Sequence, residues 1–108
     1  MGRKRVVITG MGMVSPVGHT VAESWDAVVN GRSGVSAIEH FDASQFGTQF
    51  SASVKNFDLS PYMSEKEARK NDLFIQYGMA AGIQAIEDSK ISLENTDAER
   101  IGCVIGSG

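Results

Sequence analysis

A helix that is apolar on every side can exist in water only if something covers it on every side, and the stretch from Leu73 to Ile86 reads as such a helix. Its apolar positions do not form a stripe; plotted at 3.6 residues per turn they go right round the cylinder. Gly78 and Gly82, one turn apart, predict a groove in which another helix or strand approaches closely, at about 1 kcal/mol each relative to alanine in helix propensity. Gln76, Gln84 and the two glycines interrupt the run, which falls short of the ~20 residues a bilayer requires. The expectation is a buried helix, not a membrane span, and no membrane partner.

The rest of the chain supplies too little to cover it. Ser64-Glu65-Lys66-Glu67 is a capping box, and it predicts that the helix opens there and runs unbroken to about Asp88. Val6-Val7-Ile8-Thr9, bounded by Gly10, and Ile101 to Ile105 read as strands of the kind buried on both faces of a helix-covered sheet. Thr20 with Glu23 is a second capping box. It starts an amphipathic helix with Val21, Trp25, Val28 and Val29 on one stripe, stopped by Asn30-Gly31. Residues 31–61, rich in glycine and small polar residues, predict an irregular segment with one short strand near Phe50 to Val54. Two strands make a poor sheet. The expected architecture is therefore α/β and incomplete: residues 1–108 as an N-terminal segment of a larger fold, with no second domain.

The chemistry-bearing residues are sparse. Ten Lys and Arg against thirteen Asp and Glu give a net charge of -3, which argues against sequence-independent nucleic-acid binding. One cysteine makes no internal disulfide, and the start of the chain lacks a signal-peptide core, so a cytoplasmic location is expected. Gly10-Met11-Gly12 after a predicted strand suggests a dinucleotide fingerprint, but Ser15-Pro16 stands where the third glycine belongs. A tight turn is the better reading of those glycines, and a dinucleotide-binding protein the remote alternative. Cys103, mid-strand, is expected to pack as a small hydrophobe. His19 and His40 have no second ligand at metal-site spacing. No acidic pair stands out as a general acid and base, so no catalytic, metal or cofactor residue is assigned. Lys66, Arg69 and Lys70 fall at i, i+3 and i+4, on one face of the predicted helix start. Such a cluster can receive an acidic partner; from spacing alone, a solvated helix start balanced by Glu65 and Glu67 is the better reading.

Several segments together carry a resemblance. Arg5 to Gly18 (RVVITGMGMVSPVG), Trp25, Gly31-x-Ser33-Gly34, Phe41-Asp42, the Arg69-Lys70-x-Asp72-x-Phe74-x-x-Tyr77 stretch, and Arg100-Ile101-Gly102 with Ile105-Gly106-Ser107-Gly108 occur in one order. Over essentially the whole chain they resemble the beta-ketoacyl-acyl carrier protein synthases, thiolase-fold condensing enzymes of fatty-acid synthesis, and within them the elongating type II. The resemblance implies a thiolase-like layered α-β-α-β-α fold, of which this chain is the opening part of the first half, and a homodimer as the whole protein. It implies decarboxylating Claisen condensation with malonyl-acyl carrier protein, through a cysteine and two histidines that lie beyond Gly108; Cys103 is outside the nucleophile motif. It also implies that Lys66, Arg69 and Lys70 hold the acyl carrier protein, with Glu65 as an opposing charge. On this reading the 108 residues alone are inactive; a stand-alone carrier-binding module is the alternative.

Overall fold

The computed structural model describes residues 2–108, which gather into two compact units. One comprises Met13–Asp58; the other comprises the residues up to Gly12 together with Leu59–Gly108.

In the unit Met13–Asp58, the chain first turns back at Ser15-Pro16-Val17-Gly18. The Ser15 amide donates to the Gly18 carbonyl at 2.8 Å and the Gly18 amide to the Ser15 carbonyl at 3.3 Å. Helix α1 then runs Val21–Val29. The first half of its capping box is made, with the Glu23 amide donating to the Thr20 hydroxyl at 3.1 Å, while the Glu23 carboxylate reaches one residue further back and accepts from the His19 amide at 2.8 Å. The stop falls where the sequence places it, with Gly31 at φ +66. Strand β1 (Val35–Ala37) pairs antiparallel with β2 (Phe50–Ala52), Ser36 opposite Ser51. β2 agrees with the expected strand near Phe50; β1 falls in a segment read as irregular. The hydrophobic pattern of three residues is too short to reveal it, and only the partner strand defines it. In the connection, the Ser44 amide donates to the Asp42 carboxylate at 3.0 Å. The side-chain and backbone hydrogen bonds from Ser44 hold the Asp42 carboxyl below its ordinary value. Because that value is depressed on folding, the turn's contribution is complete above the ordinary carboxylate range and is lost as pH falls through the lowered value. The Ser44 amide proton is expected to titrate together with the Asp42 carboxylate in an NMR pH series.

The second unit is organised by α3 (Leu73–Ser89), preceded by a single turn, α2 (Glu65–Ala68). The long helix expected from Ser64 onward is thus two helices. The break has a local cause: Asn71 turns its side chain back to the Glu67 carbonyl, a bond that competes with continued helix. Asp72 adopts an extended conformation as the N-cap of α3, with ψ 162. α3 ends on Lys90 in the left-handed region at φ 56, a position that favours glycine. Lys90→Gly is expected to raise stability by about 0.5–1 kcal/mol, the left-handed strain relieved less the unfolded-state freedom that glycine adds, measured by denaturant unfolding.

Neither predicted buried strand forms. Residues 6–9 and 101–105 belong to no strand, and Val6 and Val104 are 93% and 97% exposed. A buried strand needs neighbours on both edges and cover on both faces, and the described residues supply neither. The N-terminal segment instead lies against α3, where the Met11 amide donates to the Asp88 carboxylate at 3.0 Å. Gly10 and Gly12 are the residues that permit this approach. A Cβ on Gly12 would stand 2.8 Å from Gln84 Cβ and 2.9 Å from the Ala81 carbonyl carbon. These two glycines therefore serve close packing rather than the turn expected of them, which lies at Ser15–Gly18. Gly78 meets only the Ile105 side chain, at 3.8 Å, and a Cβ on Gly82 would meet nothing within 4 Å. In this unit the close-approach glycines are on the extended segment, not in the helix.

Burial is slight throughout. Among the described residues only Ala27, Ala43, Ala80 and Ser24 are buried, and no large side chain is fully so. α3 was expected to be covered all round; Leu73, Phe74 and Ile86 remain exposed. No helix of the described residues is long and apolar enough to cross a membrane.

Candidate functional site

Lys66, Arg69 and Lys70 are brought together by α2 and the residues that end it. The Ser64 hydroxyl accepts from the Glu67 amide at 3.3 Å, which starts the turn. The Ala68 and Arg69 amides donate to the Ser64 and Glu65 carbonyls at 2.9 and 3.1 Å, as in an α-helix. The next two bonds, from the Lys70 amide to Glu67 and from the Asn71 amide to Ala68, span three residues rather than four. The coil tightens there, as helix ends commonly do. Lys66 therefore lies within α2, Arg69 at its C-cap and Lys70 just past it. This corrects the expectation that all three occupy one face of a long continuous helix. All three still fall within five consecutive residues, on α2 and the tightened coil that ends it.

Two amides hold the end of the turn. The Asn71 side chain donates to the Glu67 carbonyl at 2.9 Å. The Gln76 side chain, from the first turn of α3, donates to the carbonyls of Ala68 at 2.9 Å and Asn71 at 3.0 Å. The Glu67 and Ala68 carbonyls, which already accept from backbone amides, each gain a second donor, and the Asn71 carbonyl gains one of its own. Gln76, which interrupts the apolar run from Leu73 to Ile86, fixes the segment that carries the cations. A glutamine four residues past an Asn-Asp pair is the signal that was available.

The three cations are solvent-exposed, as are Glu65 and Glu67. The Arg69 guanidinium stands 3.6 Å from the Glu65 carboxylate, with side-chain exposures of 80% and 93%. Residues 65–70 hold three cations and two carboxylates, leaving one net positive charge on the turn. Such a patch can attract an acidic macromolecule and orient it, but it has no group placed for bond-making chemistry.

The other candidates are scattered. Cys103 is exposed and outside any strand, not packed as a small hydrophobe as the sequence implied. The strand that would have buried it does not form. His19 packs edge-on to Phe57 at 5.1 Å between centroids and bonds the Lys55 carbonyl at 2.8 Å. His40 bonds the Ser53 hydroxyl at 3.2 Å. Each imidazole thus has a structural partner in the unit Met13–Asp58. Asp88 secures the Met11 amide as described above.

Comparison with known proteins agrees with the residue pattern. Residues 3–108 match the family model of the beta-ketoacyl synthase N-terminal domain. The chain is 58% identical over 108 residues to a 3-oxoacyl-[acyl-carrier-protein] synthase 2 of Vibrio harveyi, and 59% identical over the same length to that of Vibrio cholerae. It is 39% identical over 106 residues to the Synechocystis protein of the same name. In each case the match covers 98–100% of this chain and 26% of the relative, so the chain spans about a quarter of the length of these curated relatives. Among solved structures, the ishigamide ketosynthase/chain length factor superposes with a TM-score of 0.69 at 29% identity, over 87% of this chain and 23% of that one. The α/β arrangement is accordingly that of part of a ketosynthase fold, and the chain belongs to the beta-ketoacyl synthase family, whose N-terminal domain it matches.

Proposed function

We propose that this chain is the N-terminal portion of a 3-oxoacyl-[acyl-carrier-protein] synthase of the elongating type II, and that its part in the reaction is to receive the carrier protein at Lys66, Arg69 and Lys70. The observation that carries the reading is identity of 58–59% across all 108 residues with relatives bearing that name. In the proposed reaction an enzyme thiolate attacks the acyl thioester and expels the carrier's thiolate, which takes a proton from water. Malonyl-carrier protein then loses carbon dioxide, and its carbanion attacks the acyl-enzyme to give a product two carbons longer, returning the thiolate. The groups for those steps are assigned to residues beyond this segment; Cys103 is not among them. What this chain contributes is a positively charged turn that speeds and orients encounter with an acidic carrier, an effect that weakens with salt. A homodimer and a cytoplasmic location belong to the same proposal.

The test is a condensation assay on the protein at its full native length, with acyl- and malonyl-carrier protein as substrates. The expected result is a 3-oxoacyl product extended by two carbons, with none from residues 1–108 alone. Absence of product from the full-length protein overturns the reading.

A further inference from the structure

We infer that Glu65 is a built-in competitor for Arg69, one that holds down the grip of the cationic turn on its acidic partner and so hastens release; this rests on the carrier-docking reading of Lys66, Arg69 and Lys70. Three observations on α2 support it. Glu65 and Arg69 are one helical turn apart, with the acid on the N-terminal side, the favourable orientation for such a pair. Their charged groups lie 3.6 Å apart while both side chains remain almost wholly exposed, so the pair is accessible to a displacing carboxylate. The turn bearing them is held at its start by the Ser64 hydroxyl and at its end by the Asn71 and Gln76 side chains, so the two partners are presented together.

The chemistry of the cations makes the competition specific. A lysine ammonium is a compact point charge that accepts a carboxylate from many directions. A guanidinium binds best through its planar fork, two parallel N–H bonds to one carboxylate, and a carboxylate already beside that fork obstructs the arrangement. An acidic partner meeting this turn must displace Glu65 from Arg69 or make do with Lys66 and Lys70. Either way its hold is weaker and its departure faster. The proposed reaction needs two carrier visits per cycle, one to deliver the acyl group and one to bring malonyl, so a site tuned for release suits turnover.

Glu67 provides the control. It lies on the same turn and its loss changes the net charge by the same amount, but it forms no ion pair with Arg69 in the structure. Binding of holo-acyl carrier protein to the full-length protein would be followed by stopped-flow fluorescence at low ionic strength for the parent, E65Q, E67Q and E65Q/R69Q. E65Q is expected to slow dissociation about two- to threefold, and E67Q by less than half as much. R69Q in the E65Q background removes the gain, and the gain fades by about 0.5 M salt. No change in E65Q, or an equal change in E67Q, overturns the inference. K66Q and K70Q separate the two levels. If they weaken binding while E65Q is without effect, the docking reading stands and the competition fails. If they leave binding unchanged, the docking reading falls and the competition with it.

Discussion

Gly12→Ala is expected to lower stability by about 2–3 kcal/mol, the upper part of the ~1–3 kcal/mol range in which forced overpacking falls. The reason is the character of what the new methyl would meet. On Gly12 it would lie well inside van der Waals contact of the Ala81 carbonyl oxygen and 2.9 Å from the Ala81 carbonyl carbon, both helix backbone. No rotamer change relieves a clash with backbone, so either the extended segment lifts away or α3 distorts. Lifting away also removes the Met11 amide from the Asp88 carboxylate. Hydrogen exchange in the full-length protein is the sensitive measurement, since the Met11 amide should lose protection before global unfolding. Gly82→Ala is the matched control. There an added methyl meets no described atom within 4 Å outside its own helix, and alanine is the better helix former, so in the 108-residue chain the change is expected to be neutral or to stabilise by up to about 1 kcal/mol. Equal losses at the two positions would show that the segment does not pack as described.

Neutralising the cationic turn, as K66Q/R69Q/K70Q, is expected to lower kcat/KM for acyl-carrier protein about tenfold at low ionic strength, chiefly through slower association. The three residues are exposed and form no part of a buried cluster, so the substitution leaves the fold intact. Two features identify the cause. The defect should shrink as salt is raised, because screening removes from the parent what mutation removes from the variant. It should also be absent when a small acyl thioester replaces the carrier-bound substrate, since that ligand has no acidic surface to attract. A salt-independent defect, or an equal defect with the small thioester, would place these residues in a structural role.

Much of the local structure was legible in the sequence. Thr20 with Glu23 and Ser64 with Glu67 each began a helix where expected, and Asn30-Gly31 ended one. These signals act within a few residues, through hydrogen bonds that the local chain completes by itself. The family was legible too, because its motifs run in order from Arg5 to Gly108 and the comparisons match the same span. The cationic cluster was visible as a spacing, but its geometry was not. The break at Asn71-Asp72 and the Gln76 side chain that secures it depend on which of two local bonding patterns wins.

The strands show the limit most clearly. Val6 to Thr9 and Ile101 to Ile105 have the β-branched pattern of buried strands, and the pattern states what those residues need: neighbours and cover. It does not state what provides them. A helix closes its hydrogen bonds within its own segment, so sequence alone determined where α1 and α2 begin. A strand closes its bonds only with another strand, and burial is a property of whatever packs on top. Thus pairing of β1 with β2, exposure of Cys103, and use of Gly10 and Gly12 to lay the N-terminal segment on α3 were decided by tertiary structure. Each depends on residues distant in the chain, and distance in the chain is what local pattern does not encode.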